Sequence, residues 1–109
     1  MEVDIINHEG VVCIIIDGRI DNNTVPCLQS HILENLALAE KAVIDLSKLE
    51  YLSSEGLSLL LQVYHHVDAN EGKVILAGVS KSLLETMNVA GFVEHFGFAK
   101  NIEEALQLF

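Results

Sequence analysis

The amino-acid sequence predicts an α/β fold: one domain over residues 1–109, with a mixed β-sheet made of an N-terminal hairpin plus parallel strands and packed with about four helices. Three observations carry this expectation. Two β-prone runs, 3–6 and 11–16, are separated by Asn7-His8-Glu9-Gly10, the composition of a hairpin turn. Further short apolar runs at 41–46 and 74–77 then alternate with stretches in which apolar residues recur at helical spacing. Strand, helix, strand in that order requires parallel pairing through right-handed crossovers, so the hairpin and the parallel strands share one sheet.

Each element follows from its residues. The run 3–6 is short and reads as an edge strand, whereas 11–16 is apolar throughout and reads as a central strand covered on both faces. Asp21-Asn22-Asn23-Thr24 supplies N-cap candidates, and Pro26 stands early in a helix, where its missing N–H costs little. Val25, Leu28, Ile32, Leu36 and Leu38 or Ala39 lie near one face of that helix; Gln29, Ser30, Glu34 and Asn35 occupy the other. A second helix spans about 54–69, with Leu57, Leu60, Leu61 and Tyr64 at helical spacing, and ends near Asn70-Glu71-Gly72. Ser80 caps a third helix with Leu83, Leu84 and Met87 as its buried stripe, ending before Gly91. An extended segment at 93–98 follows. Asn101 caps a last helix, with Glu103 and Glu104 in its first turn and Ala105, Leu106 and Phe109 as anchors.

Composition narrows the function classes. Six Lys and Arg against sixteen Asp and Glu give a net charge of −10, which repels phosphate backbones and anionic head groups, so direct nucleic-acid binding is not expected. The longest unbroken apolar run, 11–16, is far short of a membrane span, and no basic segment leads into a long apolar core near residue 1. The reading is a cytoplasmic protein that is not membrane-embedded. Cys13 and Cys27 lack Cys-x-x-Cys spacing and read as buried reduced thiols. The five histidines show no compact metal-ligand spacing; His65 with Asp68, about one helical turn on, comes nearest. No phosphate-binding glycine loop or nucleophile-elbow motif occurs, and no histidine is placed by sequence to activate a serine. Neither catalysis nor a metal or cofactor is expected.

The stretch 45–57, Asp-Leu-Ser-Lys-Leu-Glu-Tyr-Leu-Ser-Ser-Glu-Gly-Leu, carries the most chemistry. A strand ends at Leu46, a loop follows, and a helix begins. With Ser53 as N-cap, Ser54, Glu55 and Gly56 form its first turn, and Leu52 and Leu57 stand where a hydrophobic staple needs them. Ser54 thus sits at a helix N-terminus, where free amides and the helix dipole tolerate an anion. A phosphate there adds roughly 1.5 to 2 negative charges at pH 7, enough to eject a docked partner. Gly56, without a side chain, leaves the backbone open to close approach by another chain. Ser58, Gln62, His65 and His66 fall toward the solvent side of the same helix. Taken alone, Ser53 and Ser54 read chiefly as helix caps.

These residues resemble the STAS domain family, in particular the bacterial anti-sigma-factor antagonists, in which a strand ending Asp-Leu-Ser leads to a helix start like Asp-Ser-Ser-Gly-Leu-Gly. Asp17-Gly18-Arg19-Ile20-Asp21 resembles the family's Gly-x-Leu-Asp turn before the first helix, and Gly91-Phe92 with Ile102-Glu103-Glu104-Ala105-Leu106 resembles its C-terminal pattern. The three motifs occur in the family's order across nearly the whole chain. The resemblance implies a partner-switching regulator: an antagonist that binds an anti-sigma factor with serine kinase activity when unphosphorylated, is released by phosphorylation at Ser54, and is restored by a phosphatase. It further implies partner binding through Ser53, Ser54, Glu55, Gly56 and Ser58.

Two positions depart from the pattern. Ser53 stands where the family has Asp, which keeps the cap and removes a charge; Glu55 stands where Ser or Ala is usual, which places a permanent negative charge beside Ser54. Altered kinase recognition at these positions motivates one alternative, a stand-alone STAS subunit regulating a membrane transport complex; a small-molecule-sensing STAS module ranks last, since the sequence offers no recognisable ligand loop. Oligomeric state is not legible.

Overall fold

The computed structural model describes residues 1–36, 39–89 and 96–109. Its elements run β1 (Glu2–His8), β2 (Val11–Ile20), α1 (Val25–Asn35), β3 (Lys41–Leu52), α2 (Ser54–Ala69), β4 (Lys73–Ala77), α3 (Lys81–Val89), β5 (Gly97–Ala99) and α4 (Ile102–Leu106). The five strands form one sheet in the order β1-β2-β3-β4-β5, with β1 antiparallel to β2 and every other pair parallel. The predicted mixed sheet is therefore present, with β1 at an edge and β2 buried on both faces.

The hairpin is tighter than the four-residue turn expected at 7–10. Pairing continues to His8 and Val11, leaving a two-residue turn of Glu9 (φ 50°) and Gly10 (φ 87°), the type I′ geometry that matches strand twist. Asn7 steadies it by accepting the Gly10 N–H on Oδ1 at 3.2 Å.

A larger difference lies after Leu46, where the sequence predicts a loop. β3 instead continues to Leu52, and β2 continues through Ile20, so residues 17–20, expected as a turn before α1, are strand. Register explains why. Ile15 pairs with Asp45, Asp17 with Lys48, Gly18 with Leu49, Arg19 with Tyr51 and Ile20 with Leu52, so β3 gains one residue on β2 twice. These two β-bulges leave Leu46, Leu49 and Leu52 facing the core at a spacing of three, with exposed residues between them. β4 ends opposite Asp45, so beyond that point β2 and β3 project as a two-stranded ribbon.

Two hydrophobic clusters hold the layers. On one face, Ile14, Ile16, Ile20, Ala42, Ile44 and Leu76 of the sheet meet Leu28, Ile32 and Leu36 beneath α1, Leu60, Val63 and Val67 of α2, and Met87 of α3. On the other, Val11, Cys13, Val43, Ile75 and Ala77 are covered by Ala105, Ile102, Leu106 and Phe109. A side chain such as Ile44, fully buried, contributes about 1.5–3 kcal/mol by leaving water. Asn101 caps α4 as expected, accepting the Glu104 N–H at 2.8 Å.

Several expectations need correction. Cys27 is exposed, because α1 turns Val25, Leu28, Ile32 and Leu36 inward and leaves position 27 outside that stripe; Cys13 is buried, and burial pushes its thiol pKa up. Leu84 is 39% exposed, since α3 meets the core through Met87 and, in part, Leu83. The buried stripe of α2 is centred on Leu59, Leu60, Val63 and Val67, with Leu57, Leu61 and Tyr64 only flanking it; Tyr64 packs edge-on against Phe96, ring centroids 5.7 Å apart. The extended segment expected at 93–98 is strand over 97–99. Leu38, the Gly91-Phe92 motif, residues 93–95 and with them His95 lie outside the described residues. Among the described helices none is long and apolar enough to cross a membrane.

Candidate functional site

The start of α2 is built by its own sequence and by the strand ribbon behind it. Ser53 is the N-cap in extended conformation (φ −80°, ψ 173°); its Oγ accepts the Gly56 N–H at 3.1 Å and its carbonyl accepts the Leu57 N–H at 3.0 Å. Its own N–H donates to the Ile20 carbonyl at 2.9 Å, which ties the helix start to the end of β2. Ser53 is only 8% exposed. It is thus part of the interior and caps the helix rather than offering a hydroxyl to a partner.

Ser54 and Glu55, one step further, are exposed, as is Ser58 one turn on. Their backbone amides belong to the first helical turn, which has no intrahelical acceptors, so the exposed hydroxyl of Ser54 stands in the positive end field of α2. Of the five residues expected at a partner surface, Ser54, Glu55 and Ser58 face solvent and Ser53 does not.

Gly56 does not either. It is buried, and a Cβ on it would run into the Leu52 side chain and come within 2.8 Å of Ile20 Cγ2. The close approach that glycine permits is therefore made by this chain's own β2–β3 ribbon, not by a second chain, which corrects the reading of Gly56 as an opening in the surface.

The helix pair extends the exposed patch. Gln29 of α1 donates from Nε2 to Gln62 Oε1 of α2 at 2.7 Å, and a shallow groove of about 230 Å³ lined by Val25, Gln29, Glu55, Ser58, Leu59 and Gln62 runs between the helices. His66, expected on the solvent side, is half-buried with its ring Nε2 3.0 Å from the Leu36 carbonyl, where it satisfies the end of α1; His65 is exposed. On the loop into α1, Asp21 accepts the Asn23 and Thr24 N–H groups on Oδ1 while its own N–H donates to Thr24 Oγ1, a reciprocal turn that fixes the strand-to-helix corner.

Sequence reasoning missed Arg19 and Tyr51. They are paired across the bulged ribbon, both exposed, with the guanidinium carbon 4.5 Å from the Tyr51 ring centroid. The signal was present as the three-residue spacing of Leu46, Leu49 and Leu52, which matches neither a regular strand nor a helix but does match a strand bulged twice.

Comparisons with known proteins bear on the family and the fold. Residues 2–105 match the family model described as STAS domain. The chain is 24% identical over 102 residues to BtrV of Bordetella bronchiseptica, a candidate anti-sigma factor antagonist, with 93% of this chain and 88% of that protein aligned. It superposes on the crystal structure of an anti-sigma factor antagonist from Mycobacterium paratuberculosis with a TM-score of 0.88 at 26% identity, covering 98% of this chain and 92% of the other. The Bacillus cell-fate determinant SpoIIAA in its phosphorylated form shares the fold with a TM-score of 0.77 at 18% identity, covering 98% of each chain.

Proposed function

This chain belongs to the STAS domain family, and on that premise we propose that it is an anti-sigma-factor antagonist that switches partners through Ser54. Unphosphorylated, it binds an anti-sigma factor with serine kinase activity and so frees the sigma factor; phosphorylated on Ser54, it is released, and a phosphatase restores it. The observation that carries the reading is the contrast at the helix start: Ser53 is buried and spent as a cap, while Ser54 beside it is exposed. Kinship with antagonists over almost the full chain supports the partner class.

The physical basis is electrostatic. At the N-terminus of α2 a phosphate meets free amides and the positive helix end, so the free domain accommodates it. In a closed interface the same dianion must be desolvated and, beside Glu55, meets a like charge. A penalty of about 3 kcal/mol weakens binding roughly a hundredfold, enough for a switch. Nothing in this action requires catalysis by the chain itself.

The test uses the anti-sigma factor recovered with the unmodified protein from its own cells. Ser54→Ala binds it at wild-type affinity and cannot be released by its kinase activity, whereas Ser54→Asp binds it at least tenfold more weakly by calorimetry. Equal affinity of the two variants would refute the switch.

A further inference from the structure

Beyond Asp45 the ribbon of β2 and β3 has no β4 beside it, and the two bulges in β3 put Lys48, Glu50 and Tyr51 on the outside of its far end. Bulges of this kind re-aim side chains and recur beside functional sites. Here they bring Tyr51 opposite Arg19, two residues before the Ser53 cap, and Ile20, next to Arg19, is the residue whose carbonyl holds the Ser53 N–H. The Arg19–Tyr51 pair is therefore built on the same tip as Ser54.

The pair is arranged but unspent. The guanidinium carbon lies over the Tyr51 ring, 4.5 Å from its centroid, and among the described residues the group makes no hydrogen bond or ion pair, although Asp17 and Glu50 are on the same ribbon. None of its five N–H donors is engaged by another described residue, so they are open to an incoming group. Tyr51 is 45% exposed, a large aromatic surface on an otherwise strongly acidic chain. Arg and Tyr are the side chains that dominate binding energy where they are presented in this way.

We propose that Arg19 stacked on Tyr51 is a second anchor of the partner-binding surface, and that it receives a carboxylate of the bound protein in the bidentate geometry a planar guanidinium favours. This rests on the reading of Ser54 as the switch of that surface. The occupant is an acidic side chain of a protein rather than a phosphate-rich polymer, because a chain of net charge −10, with the exposed Asp17 and Glu50 on the same ribbon, accepts one carboxylate at a local cation and repels a polyanion. Affinity is then divided between two places: Ser54, where charge is excluded, and Arg19, where charge is required.

Calorimetry with the anti-sigma factor recovered as above tests the anchor, each variant first checked by thermal unfolding to be as stable as the parent. Arg19→Gln and Tyr51→Leu each weaken binding about tenfold or more, and Arg19→Lys, which keeps the charge but not the planar fork, recovers only part of the loss. A photoreactive benzoyl-phenylalanine placed at position 51 cross-links to the partner beside an Asp or Glu, and neutralising that acid in the partner removes most of the penalty of Arg19→Gln in a double-mutant cycle. If Arg19→Gln binds as the parent does while Ser54→Asp does not bind, the anchor is overturned and the switch stands. If Ser54→Asp binds normally while Arg19→Gln fails, the switch falls and the anchor stands. A parent chain that captures no anti-sigma factor overturns both.

Discussion

Replacing Gly56 by alanine sets two effects of opposite sign against each other. In an exposed helix the change gains up to about 1 kcal/mol in helix propensity, less in a first turn. At this position, however, the new methyl meets the Leu52 side chain and lies 2.8 Å from Ile20 Cγ2. Leu52 is half-buried and its terminal methyl can rotate away, but Ile20 is fully buried and its Cγ2 is fixed directly to Cβ, so only a shift of β2 relieves that contact. Overpacking of this kind costs about 1–3 kcal/mol. The clash outweighs the propensity, and Gly56→Ala is expected to lose about 1–2 kcal/mol. In urea, with a slope of about 2 kcal/mol per molar, the unfolding midpoint falls by roughly 0.5–1 M. The double variant Gly56→Ala/Leu52→Ala loses less than the sum of the single variants, since the leucine no longer fills the space. An alanine variant as stable as the parent would refute the packing of α2 against the ribbon, and partner binding measured well below the transition then separates a folding effect from a surface one.

Three further outcomes concern the helix cap and the two thiols. Ser53→Ala leaves the buried Gly56 N–H without its acceptor and costs about 1 kcal/mol, lowering the melting temperature by several degrees, whereas Ser53→Asp retains the cap; equal losses for both would remove capping as the role of this residue. A thiol reagent modifies Cys27 in the native protein and Cys13 only on unfolding; modification of both at the same rate contradicts the burial of β2. Because burial raises the Cys13 pKa above 9.0, the folded state holds that proton more tightly than the unfolded chain. The corresponding stability is complete below about pH 9 and is lost as pH rises toward the folded-state value, so Cys13→Ala shows a shallower alkaline decline in unfolding experiments.

Much of this molecule is legible in its residues taken locally. The order of strands and helices follows from stretches long enough to display a period, and the caps at Ser53 and Asn101 follow from hydroxyl and amide side chains three residues ahead of the N–H they accept. The start of α2, and with it the position of Ser54, required nothing beyond that local pattern. Resemblance to a family then supplied what periodicity cannot, a reason to regard one serine of two as more than a cap.

Other features were decided only when the chain closed on itself. Leu46-Ser47-Lys48-Leu49-Glu50-Tyr51-Leu52 has no strand periodicity of its own, and becomes strand because β2 runs alongside and two bulges absorb the mismatch. Whether Gly56 opens toward a partner or toward the interior depends on where Ile20 and Leu52 lie, and both belong to that ribbon. Cys27 and Leu84 face out, and His66 turns in, because a helix rotates as a rigid body to bury its largest apolar surface, and the neighbours that set the rotation are distant in sequence. The amino-acid sequence by itself determined the elements, their order and the cap that presents Ser54. Tertiary structure decided which of the site residues are exposed and brought Arg19 over Tyr51, since accessibility and pairing across strands are relations between segments and no local pattern encodes them.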